Sequence, residues 1–128
     1  MKKKLLLVLL LVGVSGCSML SFIPSKWDYN EASKITDIQQ SSRTLNCTVD
    51  TKKGIDDLYY DVKWFETYAL YKGSRDIVVV FAELANTVTE LKDRSDKGPV
   101  SKLYCDIKKK IIVQQADITA KAVQGRFL

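Results

Sequence analysis

Hydrophobic residues recur every three or four positions along most of the chain after residue 27, which is the spacing of one face of an α-helix. The first such stretch covers residues 28–45, and Asp28 and Glu31 stand in the order of a capping box. The second covers residues 51–72 and is followed by Gly73, which suits a helix C-cap. The apolar face of the first helix is Ala32, Ile35, Ile38, Ser42 and Leu45, and that of the second is Ile55, Leu58, Tyr59, Val62, Phe65 and Ala69.

A third helix is predicted over residues 75–91, with Ser74 as its N-cap. Its apolar positions are Ile77, Val80, Phe81, Leu84, Val88 and Leu91. The run 77–81 is rich in β-branched residues and could form a strand instead. We predict a helix there, because the sequence offers no second convincing strand to pair with it.

Residues 92–99 are polar and are predicted to form a turn. Pro99 then suits the first position of a fourth helix, which reaches about Val123 and ends at Gly125. The apolar stripe assigned to this helix is Val100, Leu103, Ile107, Ile111, Ile118 and Ala122, with Gln114 interrupting it.

The N-terminus has a different pattern from the helical part of the chain. Three lysines at positions 2–4 precede an unbroken apolar run at 5–12, which is too short to cross a bilayer as a lone helix. A charged start, a short apolar segment and small residues after it are typical of a signal peptide. The run is followed by an apolar residue, two small residues and a cysteine, namely Val14, Ser15, Gly16 and Cys17.

These residues resemble the signal peptide and lipobox of bacterial or phage-encoded lipoprotein precursors, although Val14 stands where leucine is commoner. The resemblance covers residues 1–17 and implies a diacylglycerol on the Cys17 thiol, cleavage before Cys17 and acylation of the freed amine. It divides the chain into a signal peptide (1–16), a lipidated tether (17–26) and a periplasmic domain (27–128). Because Ser18 is not aspartate, the resemblance implies the outer membrane of a Gram-negative host. An ordinary secretory signal or an uncleaved anchor helix would be the alternatives.

The net charge of +5 overstates how basic the mature chain would be. Without the lysines at 2–4, 17 basic residues stand against 15 acidic ones, so nucleic acid is not an expected partner. The remaining charge is uneven, because residues 97–128 hold seven basic and two acidic groups. A solvated basic helix face is the first interpretation of this bias, and an anionic partner is the second.

Cys47 and Cys105 remain once Cys17 is assigned to the lipid. An exported chain meets an oxidising compartment, so we expect these two cysteines to form a disulfide. Free buried thiols and intermolecular bridges are the alternatives. The chain has no histidine and no Cys-x-x-Cys motif, which removes the usual zinc and copper ligand sets and a thioredoxin-like redox site.

Four helices joined by short turns predict an all-α fold, a small bundle tied by one disulfide. We expect the Cys47–Cys105 bridge to conflict with a simple antiparallel bundle, because it would join opposite poles. A crossed or tilted arrangement of the helices, or a first helix that packs across the others, is therefore expected.

Catalytic machinery is not evident, so we predict that the chain is not an enzyme and has no cofactor besides the lipid on Cys17. A hydrolase triad lacks its histidine, and the glycines are too scattered for a phosphate-binding loop. The expected role is binding of an envelope protein. A spanin-like lysis or exclusion lipoprotein, or an inhibitor of a cell-wall enzyme, is the alternative. Candidate partner-binding residues are Tyr60, Trp64 and Tyr71, which broaden the apolar face of the second helix to one side, and the triplet Lys108, Lys109 and Lys110. Core packing is the first interpretation of the aromatic residues and a solvated face is that of the lysines, with a partner surface as the alternative for both.

Overall fold

The computed structural model describes residues 24–126, which form four α-helices and no strand. The helices are α1 (Tyr29–Thr44), α2 (Thr51–Lys72), α3 (Arg75–Asp96) and α4 (Lys102–Gln124). The all-α prediction is confirmed, and so is the helix over residues 77–81. The predicted signal peptide, the lipobox and Cys17 lie outside the described residues.

The helices form a four-membered ring of neighbours. α1 packs against α2 and α4, α3 packs against the same two helices, and neither diagonal pair is in contact. Because consecutive helices are joined by short turns, they alternate in direction, as in an up-down-up-down bundle.

The predicted disulfide joins Cys47, in the loop between α1 and α2, to Cys105 in the first turn of α4, with 5.7 Å between the two Cα atoms. The expected conflict with a simple bundle was wrong. In an up-down-up-down bundle the end of α1 and the start of α4 lie at the same pole, which we call the disulfide pole. The Lys109 ammonium also reaches across this pole and donates a hydrogen bond to the Leu45 carbonyl at 2.8 Å.

Two predicted boundaries are corrected. α3 continues to Asp96 instead of ending near Leu91, because Ser95 is still buried against the bundle and Lys92 forms an ion pair with Asp96 one turn later. α4 begins at Lys102 and not at Pro99, because the Ser101 hydroxyl caps it by accepting a hydrogen bond from the Tyr104 N–H at 3.2 Å.

The core contains the predicted faces of α1 and α2 almost entirely, and the Phe65 and Phe81 rings meet at its centre with 4.5 Å between centroids. On α3, Val80 is exposed and the remaining predicted positions are buried. The predicted stripe of α4 was wrong. The helix buries a face that begins at Cys105 and combines two aliphatic residues with small or polar ones, namely Cys105, Ile112, Ala116, Thr119, Ala120 and Val123.

Candidate binding surfaces

Exposed aromatic side chains line the outer side of α2. Tyr60, Trp64 and Tyr71 lie opposite the buried positions of that helix, and Trp64 and Tyr71 are 45% and 88% exposed. The structure therefore places the three predicted aromatic residues on one solvent-facing surface. Tyr68 lies between them, and we call these four residues the aromatic face.

Trp64 has a defined orientation within the aromatic face. Its ring stacks on the Tyr68 ring at 5.0 Å with an interplanar angle of 7°. The Lys34 ammonium, from α1, lies 5.3 Å from the indole centroid, within the range of a cation–π interaction. Two neighbours on different helices thus restrict the indole, which lowers the entropy that a binding event would have to remove.

Lys34 is itself held by acidic neighbours. Its ammonium lies 3.1 Å from an Asp61 carboxylate oxygen and 3.5 Å from Asp37. Burial alone would lower the pKa of Lys34, but the hydrogen bond to Asp61 and the charges of both carboxylates raise that pKa above its ordinary value. The cation beside Trp64 therefore stays charged at neutral pH.

Tyr68 is fixed by polar contacts at its hydroxyl. The Asn30 amide donates a hydrogen bond to this oxygen at 3.0 Å, and the hydroxyl donates in turn to Asp28 at 3.4 Å. Asp28 also caps α1 by accepting from the Glu31 N–H and pairs with Lys72. Although burial raises the pKa of Asp28, the bonds from Lys72, Glu31 and Tyr68 lower it overall.

The aromatic face surrounds a shallow depression of about 500 Å³ that Lys63 and Thr67 complete. Its lining is mostly apolar carbon with a hydroxyl or ammonium at the rim. A second depression, of about 560 Å³, lies at the disulfide pole beside the 97–100 turn. There Lys52 and Asp96 pair with each other, so neither leaves a free charge for a ligand.

The three predicted lysines of α4 point in different directions. Lys108 pairs with Glu90 of α3, and this hydrogen bond raises the pKa of Lys108. Lys109 is bound to the Leu45 carbonyl, and Lys110 is exposed. The triplet is therefore not a single basic patch, and its part in partner binding stays a prediction.

The large apolar residues of α4 form a second exposed surface, which sequence reasoning assigned to the core. Leu103, Ile107, Ile111 and Ile118 lie on the solvent side, with Leu103 71% and Ile118 62% exposed. We call these four residues the apolar stripe. Cys105 could have placed the apolar stripe on the solvent side, because a buried cysteine in a disulfide determines which side of the helix faces the core.

A buried ion pair lies at the pole opposite the disulfide, which we call the terminal pole, and it was not predicted. The Arg126 guanidinium bonds the Glu31 carboxylate, the Ser25 hydroxyl at 2.6 Å and the Val123 carbonyl at 3.1 Å. The capping box is thus only half formed, because Glu31 turns inward to Arg126. Three oxygens near this pair are buried without a hydrogen-bond partner: the second carboxylate oxygen of Glu31, the Ser74 hydroxyl and one carboxylate oxygen of Asp76. Ser74 is the N-cap residue of α3, but its side chain does not cap the helix.

The Ser25 N–H extends this network to α3 by donating to the Asp76 carboxylate at 3.1 Å. Burial raises the pKa of Asp76, but hydrogen bonds from Ser25 and from backbone N–H groups lower it overall. The start of the described chain is therefore fastened both to α3 and to the end of α4.

Among residues 24–126, no group of three cysteine, aspartate or glutamate side chains is arranged to hold a metal ion. None of the four helices described above combines the length and apolar character needed to cross a bilayer. Comparison with protein-family models, with curated proteins and with solved structures found no match to this chain.

Proposed function

We propose that the protein is a lipoprotein anchored through acylated Cys17 to the periplasmic side of the outer membrane. Its helical domain binds an envelope protein through the aromatic face. The sequence at positions 14–17 supports the anchor, and the exposed, oriented aromatic side chains of α2 support the binding role.

The observation that carries the proposal is the exposure of Trp64 in a fixed orientation. A tryptophan used only for packing would be covered, whereas this one stacks on Tyr68 and lies beside the Lys34 ammonium with nearly half of its surface in solvent. Tryptophan and tyrosine are enriched among the residues that dominate protein–protein binding energies. Membrane anchoring would raise the local concentration of the domain, so a modest intrinsic affinity would suffice.

The binding role is tested by photo-crosslinking in cells. A benzophenone amino acid at Tyr71 should capture a specific envelope protein, and the same probe at Tyr29, an exposed tyrosine of α1, should not. Once the captured partner has been purified, Trp64→Ala should raise the dissociation constant of the complex by about 30-fold, as expected for a central aromatic contact. Tyr29→Ala should leave the dissociation constant unchanged. Equal crosslinking from both positions, or an unchanged constant for Trp64→Ala, would contradict the role of the aromatic face.

The anchor is tested separately by the intact mass of the protein extracted from membranes. A chain that begins at Cys17 and carries a diacylglycerol and an acyl group is the expected product. An unprocessed chain beginning at Met1 would overturn the lipoprotein assignment while leaving the aromatic-face experiment valid.

A further inference from the structure

The apolar stripe runs along the side of α4 that faces away from the core. From Leu103 to Ile118 it covers fifteen residue steps, or about 22 Å of helix. Leu103, Ile107 and Ile111 follow one another at four-residue steps, and the exposed Gln114 separates them from Ile118. Large exposed apolar patches mark contact surfaces.

α3 extends this surface at the terminal pole. The Lys108–Glu90 pair sets the register of the two antiparallel helices. Ile118 lies ten residues after Lys108 on α4, and Val80 lies ten residues before Glu90 on α3. Because the two helices are antiparallel, Ile118 and Val80 are at the same level of the bundle. Val79 and Val80 are both exposed, so α3 adds two apolar side chains to the surface near the pole where the tether enters.

The unpaired charges of α4 beside the stripe are positive, whereas the neighbouring helix α3 carries the exposed acids Glu83 and Glu90, of which Glu90 pairs with Lys108. Lys110 and Lys121 are exposed and form no ion pair within residues 24–126. The two acidic residues of α4, Asp106 and Asp117, are each paired with a cation. A helix with an aliphatic row and free lysines has the chemistry of one that lies in the headgroup region of an anionic bilayer.

A second copy of the chain fits this surface less well. In an antiparallel two-fold contact, Leu103 would meet Ile118 of the copy, and the symmetry axis would pass between positions 110 and 111. Lys110 would then lie beside its own copy. A parallel two-fold contact would pair Lys110 with Lys110 and Lys121 with Lys121. Both arrangements bring like charges together, whereas anionic headgroups attract them.

The position of the tether agrees with a bilayer as the occupant. Ser25 is held at the terminal pole, and eight residue steps separate it from Cys17, a reach of about 27 Å when extended. Lipid chains on Cys17 could therefore stay in the bilayer while α4 lies along its surface.

We infer that the domain lies on its side, with the apolar stripe of α4 in the headgroup region of an anionic membrane. This inference rests on the lipid anchor of the proposed function. Because α2 is diagonal to α4 in the bundle, the aromatic face then points away from the membrane and stays accessible to a partner.

The orientation is tested with the lipidated protein purified from membranes and reconstituted into vesicles of phosphatidylethanolamine and phosphatidylglycerol with brominated acyl chains, which quench nearby tryptophan. Both samples carry Trp27→Phe. In the first, Leu103→Trp and Trp64→Phe leave one tryptophan on the apolar stripe at the disulfide pole. In the second, Trp64 remains as the only tryptophan, on the aromatic face. Leu103 is exposed, so its replacement leaves the core intact.

The Leu103→Trp sample should lose most of its emission relative to vesicles without bromine, and the Trp64 sample should keep its emission. Adding Lys110→Glu and Lys121→Glu should reduce the loss. A domain standing on its terminal pole would hold position 103 about 30 Å from the membrane, and the emission would then be unchanged. That result, or equal quenching of both samples, would overturn the orientation.

Vesicle flotation and intact mass are measured on each sample. A chain that floats and carries its acyl groups, but shows no quenching of the Leu103→Trp variant, refutes the orientation and leaves the anchor in place. A chain that lacks the acyl groups refutes the anchor, and the orientation with it.

Discussion

Replacing Arg126 with methionine should be among the most destabilising single changes in the domain. The Arg126 and Glu31 side chains are 2% and 0% exposed, so neither ion has water to solvate it. The substitution keeps most of the side-chain volume but leaves the Glu31 carboxylate buried without a counter-charge. Breaking a buried pair from one side typically costs about 3–5 kcal/mol, a large fraction of the roughly 5–15 kcal/mol of a small domain.

The double variant Glu31→Leu/Arg126→Met separates loss of the ion pair from loss of packing. With both charges absent, the unsolvated carboxylate disappears too, and replacement of a buried pair by apolar residues is often neutral or stabilising. Some loss remains, because the Ser25 hydroxyl no longer receives a hydrogen bond from Arg126, which is worth about 1 kcal/mol. The double variant should therefore be more stable than Arg126→Met alone.

The assay is urea unfolding of the oxidised mature protein at neutral pH, followed by helical circular dichroism. A loss below about 1 kcal/mol for Arg126→Met, or a double variant no more stable than the single one, would refute the reasoning.

Three further predictions concern the same domain. The disulfide closes a loop with a sequence separation of 58, so Cys47→Ser/Cys105→Ser should lower the free energy of unfolding by up to about 4 kcal/mol, and treatment of the native protein with reductant should shift the urea midpoint equally. Asp28→Ala removes the side-chain cap of α1 and should cost about 1 kcal/mol in the same assay, whereas Asp28→Asn, which keeps a capping oxygen, should cost less. Because the pKa of Asp76 is lowered in the folded state, its ionised form stabilises the fold above about pH 4, and this stabilisation is lost as the pH falls through the folded pKa. Acid titration of Asp76→Asn should show a shallower loss of stability than the native protein, and an identical curve would contradict the assigned cause.

The helices of this bundle could be predicted from local signals. α2 ends where predicted because Gly73 adopts a left-handed conformation, with φ of 79°, and its N–H closes the last turn. The end of α3 could not be placed, since Lys92 and Asp96 look like loop residues until their ion pair and the burial of Ser95 are known.

The surfaces required tertiary information. Periodicity located a stripe on α4 correctly but assigned it to the wrong side, because most of the large aliphatic residues are outside, whereas the inner face is mainly small or polar with Ile112 and Val123. The Glu31–Arg126 pair joins residues 95 positions apart, and only the bundle topology brings them together. Tyr60, Trp64 and Tyr71 are exposed because the core face of α2 is already filled by Ile55, Leu58, Val62, Phe65 and Ala69, and their part in binding stays a prediction.

The position of the disulfide also determines how the domain would respond to mechanical force. Both described ends of the chain lie at the terminal pole, and the bridge encloses α2 and α3 in a covalent loop at the far pole. If the chain were pulled apart by its ends, only α1, α4 and their flanking residues could extend, and the loop would withhold about 190 Å of contour length. The maximal extension under such a load would thus be short while the bridge is oxidised and longer by this length once the bridge is reduced.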